Sequence, residues 1–160
     1  MPTERLKFKL ELYATYWDKP PIAEILINGE SQYRSEIKGT EKDPTVIEFE
    51  KELTEGEKYN LVISRSGKDT KQTLVNAEGG IEKDQLLHIK SIEIDEIDIG
   101  ALVYEGVYTP EYPEPWHTQQ VSAGNTPEKS FKNVTVIGHN GTWTLSIGSP
   151  FYMWLLENLY

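Results

Sequence analysis

Leu86-Leu87-His88-Ile89-Lys90-Ser91-Ile92-Glu93-Ile94-Asp95-Glu96-Ile97-Asp98-Ile99-Gly100 is the stretch on which the fold turns. Apolar and polar residues alternate along it, the period of a strand with one buried face. The alternation slips twice. Leu87 and Ile89 share one parity, Ile92 and Ile94 the other, and Ile97 and Ile99 return to the first. Side chains of an unbroken strand point to opposite faces in turn, so these six residues cannot all share one face of it. The slips predict β-bulges near Lys90-Ser91 and Asp95-Glu96, or two strands joined by a bend. Glu93, Asp95 and Asp98 would be re-aimed with them.

Working outward, the same period recurs. Leu6, Phe8, Leu10, Leu12 and Ala14 alternate with Lys7, Lys9, Glu11 and Tyr13, a half-buried strand with a charged outer face. Ala23, Ile25 and Ile27 form a second strand, closed by the hairpin pair Asn28-Gly29, with a return strand over Gln32–Ile37. Val46–Leu53 and Tyr59–Ser64, linked by Glu55-Gly56-Glu57-Lys58, read as an antiparallel hairpin. Val134 and Val136 resume a strand, His139-Asn140-Gly141 turns the chain, and Trp143, Leu145 and Ile147 return. Tyr108-Thr109-Pro110-Glu111-Tyr112-Pro113-Glu114-Pro115-Trp116 carries three prolines, which bar helix interior and central strand and predict a semi-extended arm. Ser149 as N-cap and Pro150 at the first helical position predict a short helix to Leu159. About eight strands and one terminal helix predict an all-β chain, an antiparallel β-sandwich of jelly-roll type. The chain reads as a single domain over 1–160, with its core over about 5–107 and 131–148, an arm over 108–130 and a helix over 150–159.

Composition excludes several functions. The chain has 160 residues and no cysteine, so it has no disulfide framework and no thiolate chemistry. Its formal charge of -10 repels phosphate backbones and argues against nucleic acid as a partner. No apolar run approaches the ~18 residues of a membrane span, and Met1-Pro2-Thr3-Glu4-Arg5 leads into a strand with no signal-peptide pattern. No Gly-x-Ser-x-Gly elbow, P-loop or His-Glu-x-x-His motif is present.

Two segments carry a resemblance. Tyr59–Ser64, the polar loop after it, Asp84-Gln85-Leu86-Leu87 and Ile92-Glu93-Ile94-Asp95 resemble the calcium-dependent xylan-binding-like carbohydrate-binding modules. Asp84 and Leu87 match that family's aspartate and leucine, while Ser66-Gly67 stand where the family has Asn-Asp. The tail, Gly138-His139-Asn140-Gly141-Thr142-Trp143-Thr144-Leu145 and Ser149–Asn158, is similar to small virion proteins of tailed bacteriophages that carry such a domain. The resemblance implies a non-catalytic structural or decoration protein of the virion, assembled in the host cytoplasm. Its partners would be further copies of itself, a capsid or tail protein, and host polysaccharide. The alternatives are a calcium-dependent glycan-binding module and a glycoside hydrolase.

Two sets of candidate site residues follow. Asp69, Glu82 and Asp84 lie in one acidic loop and could supply carboxylate oxygens to Ca2+, which takes six to eight oxygen ligands. The competing reading is a solvated loop. Tyr108, Tyr112 and Trp116 recur at intervals of four along the arm and could stack on sugar rings or on a partner protein. The competing reading has them cap an end of their own sandwich. His88, His117 and His139 have no partner at metal-ligand spacing, which predicts surface or structural roles.

Overall fold

The computed structural model describes residues 2–68, 74–75, 77–78, 80–112, 116–127 and 129–159; the side chains of residues 74, 75, 81, 82 and 159 are outside the description. The strands are β1 (Thr3–Thr15), β2 (Ile22–Ile27), β3 (Glu30–Glu36), β4 (Thr45–Thr54), β5 (Lys58–Ser66), β6 (Leu74–Val75), β7 (Ile81–Lys83), β8 (Leu86–Ile94), β9 (Ile97–Asp98), β10 (Val107–Pro110), β11 (Val136–Ile137) and β12 (Gly141–Gly148). The helices are α1 (Trp116–Ser122) and α2 (Phe151–Leu159), with a 3-10 turn over Gly100–Glu105.

One antiparallel sheet runs β11-β8-β1-β4, with β9 on β8; the other runs β10-β12-β5-β2-β3. The chain passes repeatedly from one sheet to the other, as the predicted jelly-roll sandwich requires. Leu6, Phe8, Leu10 and Leu12 of β1 and Leu87, Ile89, Ile92 and Ile94 of β8 face Ala23, Ile25, Leu61, Ile63, Trp143 and Leu145 of the second sheet in one continuous core. Each such Leu or Ile contributes roughly 1.5–3 kcal/mol relative to exposure. On the outer face, Arg5, Lys7 and Lys9 of β1 lie in register with Glu52, Glu50 and Glu48 of β4. Opposed charges across a ladder favour this register, and the acids on β4 mark the sheet edge with repulsive charge.

Both slips in the Leu86–Gly100 stretch are present. Glu11 pairs Ser91 and Leu12 pairs Ile89, so Lys90 is the extra residue of a β-bulge and four apolar residues reach one face. At the second slip, Asp95 (φ 55°) and Glu96 (φ 68°) form a two-residue turn between β8 and β9. Asn28 (φ 48°) and Gly29 (φ 82°) close the β2–β3 hairpin as expected.

Three expectations are corrected. The segments read as a hairpin, Val46–Leu53 and Tyr59–Ser64, lie in opposite sheets: β4 pairs β1, whereas β5 sits between β12 and β2. Alternation shows that each strand buries one face and is silent on which neighbour it pairs. The connecting bend is tied to the β12–α2 junction instead, through Gly56 N–H to Ser149 O (2.7 Å) and Ser149 N–H to Glu57 O (3.1 Å). The helix α2 starts at Phe151, and its cap comes from β1: Glu4 Oε2 accepts from Phe151 N–H (2.8 Å) and from the Ser149 hydroxyl. The arm is not loop throughout. Its start is β10, an edge strand on β12 where a terminal Pro110 is tolerated, and Trp116–Ser122, between Pro115 and Pro127 in sequence, form α1.

Candidate functional site

The two ends of the sandwich differ, and the described candidates Tyr108, Tyr112, Trp116 and Asp84 gather at the end where β1, β5 and β10 finish. Arg65 starts the network there. It follows Leu61 and Ile63 on the inward parity of β5, so its guanidinium is delivered into the end of the core, where it is 1% exposed. Nη1 donates to Asn140 Oδ1 (3.0 Å) and Nη2 to the Gln85 carbonyl (2.6 Å). Burial lowers its pKa to about 10, with the neighbouring Tyr108 and Asp84 opposing that, so the cation persists at neutral pH.

Asn140 is the hub. Its Oδ1 also accepts from Lys68 N–H (3.0 Å), its Nδ2 donates to Lys68 O (2.8 Å), and its carbonyl accepts from Glu111 N–H (2.6 Å). Lys68 Nζ donates to Gly138 O (2.5 Å) and pairs with Asp84 Oδ1 (2.8 Å), both side chains being largely buried. Asp84 Oδ1 also accepts from Gln85 N–H, and Gln85 Nε2 donates to Lys19 O (2.9 Å). Five segments of chain are thereby tied together: the β1–β2 link, the end of β5, the entry to β8, the β11–β12 turn and the arm. Gly141 permits the arm's close approach, because a Cβ there would run into the Thr109 carbonyl.

The aromatic candidates divide. Tyr108 occupies an inward position of β10, is 5% exposed, and lies against Phe131 with ring centroids 6.2 Å apart. Its hydroxyl donates to His139 O (2.8 Å) and accepts from His139 N–H (2.9 Å). Burial pushes the phenol's pKa up, which keeps that donor protonated. Tyr108 thus secures the β11–β12 turn and presents no face to solvent. Tyr112 and Trp116 do come together, 5.4 Å apart, with His117 parallel to Tyr112 at 5.8 Å and His139 edge-on to it at 5.7 Å. Trp116 is 41% exposed, so the cluster forms an aromatic rim above the Asn140 network. Burial, then the charge of Lys68, holds the His139 pKa below the ordinary range, with Asp84 opposing.

Of the acidic candidates, Asp69 lies outside the described residues, as does the side chain of Glu82 on β7. Asp84 is described, and its Oδ1 pairs with the Lys68 ammonium at 2.8 Å. No three His, Cys, Asp or Glu side chains among the described residues gather as a metal group. A small groove of about 140 Å³ on the outer face of the first sheet brings Glu48, Glu93 and Glu96 together with Lys7 and Lys9.

Sequence reasoning missed Arg65, Lys68, Gln85 and Asn140 as a network. Arg65 carried a usable signal, a cation on the buried parity of a strand. Asn140 had none, since Asn-Gly reads as a turn whatever its side chain holds.

No protein-family model matches the chain, and no curated protein matches it in sequence. Two solved structures are similar over most of both chains. One is vCBM60 in complex with galactobiose, at 8% identity over 87% of this chain and 96% of that chain, with a TM-score of 0.48. The other is the selenomethionine form of vCBM60, from work on a circular permutation linking two families of calcium-dependent carbohydrate binding modules, at 7% identity, 88% and 89% coverage and a TM-score of 0.47. Likeness of this degree assigns neither a family nor a ligand to this chain.

Proposed function

We propose that this chain is a non-catalytic recognition module that holds glycan on the aromatic rim at the loop end of its sandwich. The observation that supports it is the placement of Tyr112, Trp116 and His117: the Trp116 ring is partly exposed, and Glu111, next to Tyr112, is bonded to the Asn140 carbonyl. A sugar ring has an apolar C–H face that stacks on Tyr and Trp, and a rim already fixed in place loses little conformational entropy on binding. Affinity per domain would be modest and multiplied by many copies on a surface.

The setting we propose is a virion, on the sequence resemblance of the tail. There α2 would meet a neighbouring copy or a capsid or tail protein, since Tyr152, Met153 and Leu156 stand exposed on its outer side. A panel of immobilised neutral oligosaccharides tests the glycan reading: binding by the wild-type chain and at least tenfold weaker binding by Trp116→Ala are expected, and a wild-type chain that binds none of them overturns it.

A further inference from the structure

We propose that the groove beside the end of β1 is a second saccharide site, distinct from the aromatic rim and resting on the reading of the domain as a glycan binder. The groove arises from strand lengths. β4 begins at Thr45, opposite Leu12, so Tyr13, Ala14 and Thr15 have no β4 partner on that side. The loop leading into β4 takes the strand's place, joined to β1 by Ala14 N–H to Gly39 O (3.0 Å). The space left has a volume of about 590 Å³ and is lined by Tyr13, Thr15, Tyr16, Lys38, Thr40 and Glu41. The depression is shallow and open to solvent over much of its extent.

Its walls are set in place. The Tyr13 ring is stacked on His88, 4.4 Å away and within 4° of parallel, and His88 Nε2 lies 3.0 Å from the Thr15 hydroxyl. One face of Tyr13 is therefore covered, and the other is left for a ligand. The opposite wall is braced by Lys90 Nζ, the bulge residue, which donates to the Glu41 carbonyl (2.8 Å), and by paired backbone bonds between Thr40 and Asp43. The chemistry suits a sugar. Two tyrosines offer apolar faces for pyranose C–H groups, and the hydroxyls of Thr15 and Thr40, with Lys38, Glu41 and the Lys90 ammonium at the wall, offer hydrogen-bonding groups to sugar hydroxyls.

The test is titration of the isotope-labelled full chain with galactobiose, xylohexaose and cellohexaose, read by amide chemical shifts. Saturable shifts at Tyr13–Tyr16 and Lys38–Glu41 are expected with at least one of these sugars, and they should persist in Trp116→Ala. Tyr16→Ala, an exposed position, and Tyr13→Ala should each weaken them at least tenfold while leaving shifts at Tyr112–His117 unchanged. Shifts confined to Tyr112–His139 overturn the groove and leave the rim standing. Shifts confined to the groove overturn the rim and support the second site. Absence of shifts at either place with all three sugars overturns both.

Discussion

The helix end and the loop end of this sandwich are closed by the same physical device put to different use. At the helix end one carboxylate, Glu4, gathers the Ser149 hydroxyl and the first amide of α2, and Tyr152 reaches Asp95 at 2.6 Å. At the loop end one carboxamide, Asn140, gathers β5, the segment after it and the arm. Glu4 is satisfied by an element that then covers it. Asn140 and Arg65 lie beneath an aromatic rim that remains partly open. The first network caps a helix; the second sets the position of partly exposed rings, the feature on which the proposed recognition rests.

The largest effect expected from breaking this comparison is at Arg65. Arg65→Met keeps the stem and removes the guanidinium, leaving the Asn140 amide oxygen and the Gln85 carbonyl each short of a buried donor. Loss of about 2–4 kcal/mol of unfolding free energy is expected in urea titration, together with loss of glycan binding. A variant as stable as the wild type would show that the network does not hold the loop end. Glu4→Ala should be milder, about 1 kcal/mol from the lost cap, with fraying of α2 seen as reduced helical dichroism and with glycan binding untouched.

Acid should act most on the loop-end half of the molecule. The pKa values of His88 and His139 are both held below the ordinary 6.5, chiefly by burial. Depressed values mean that the folded state binds fewer protons than the unfolded chain. Their contribution is complete above about pH 6.5 and is lost as pH falls through the folded values. The melting temperature at pH 5 should therefore lie below that at pH 7.5, and the gap should narrow in a His88→Gln, His139→Gln double variant. The smallest effect expected is that of calcium. Because the Lys68 ammonium already pairs with Asp84, any calcium response of the melting temperature should be the same in the wild type and in Asp84→Asn, and a response lost in that variant would contradict the pairing.

What could be read from the sequence was local. The bulge at Lys90 and the turn at Asp95-Glu96 announce themselves as changes of parity within a dozen residues, and Asn28-Gly29 needs only its own φ values. What could not be read depended on partners far along the chain. Phe151 takes its cap from Glu4, 147 positions away, and Lys68 meets Asn140 across 72. The β4 and β5 strands carried the same alternation whether paired or on opposite sheets. The candidate residues divide likewise: Tyr112 and Trp116, singled out by their spacing, lie side by side, whereas the inward turn of Tyr108 follows from the pairing of β10 with β12.

The most direct test compares wild type, Trp116→Ala and Glu4→Ala side by side, each with its melting temperature and its affinity for the oligosaccharide panel. The account predicts that Trp116→Ala melts as the wild type does and binds at least tenfold more weakly, while Glu4→Ala melts lower and binds normally. Unchanged binding by Trp116→Ala, or weakening only in step with lost stability in both variants, would contradict it.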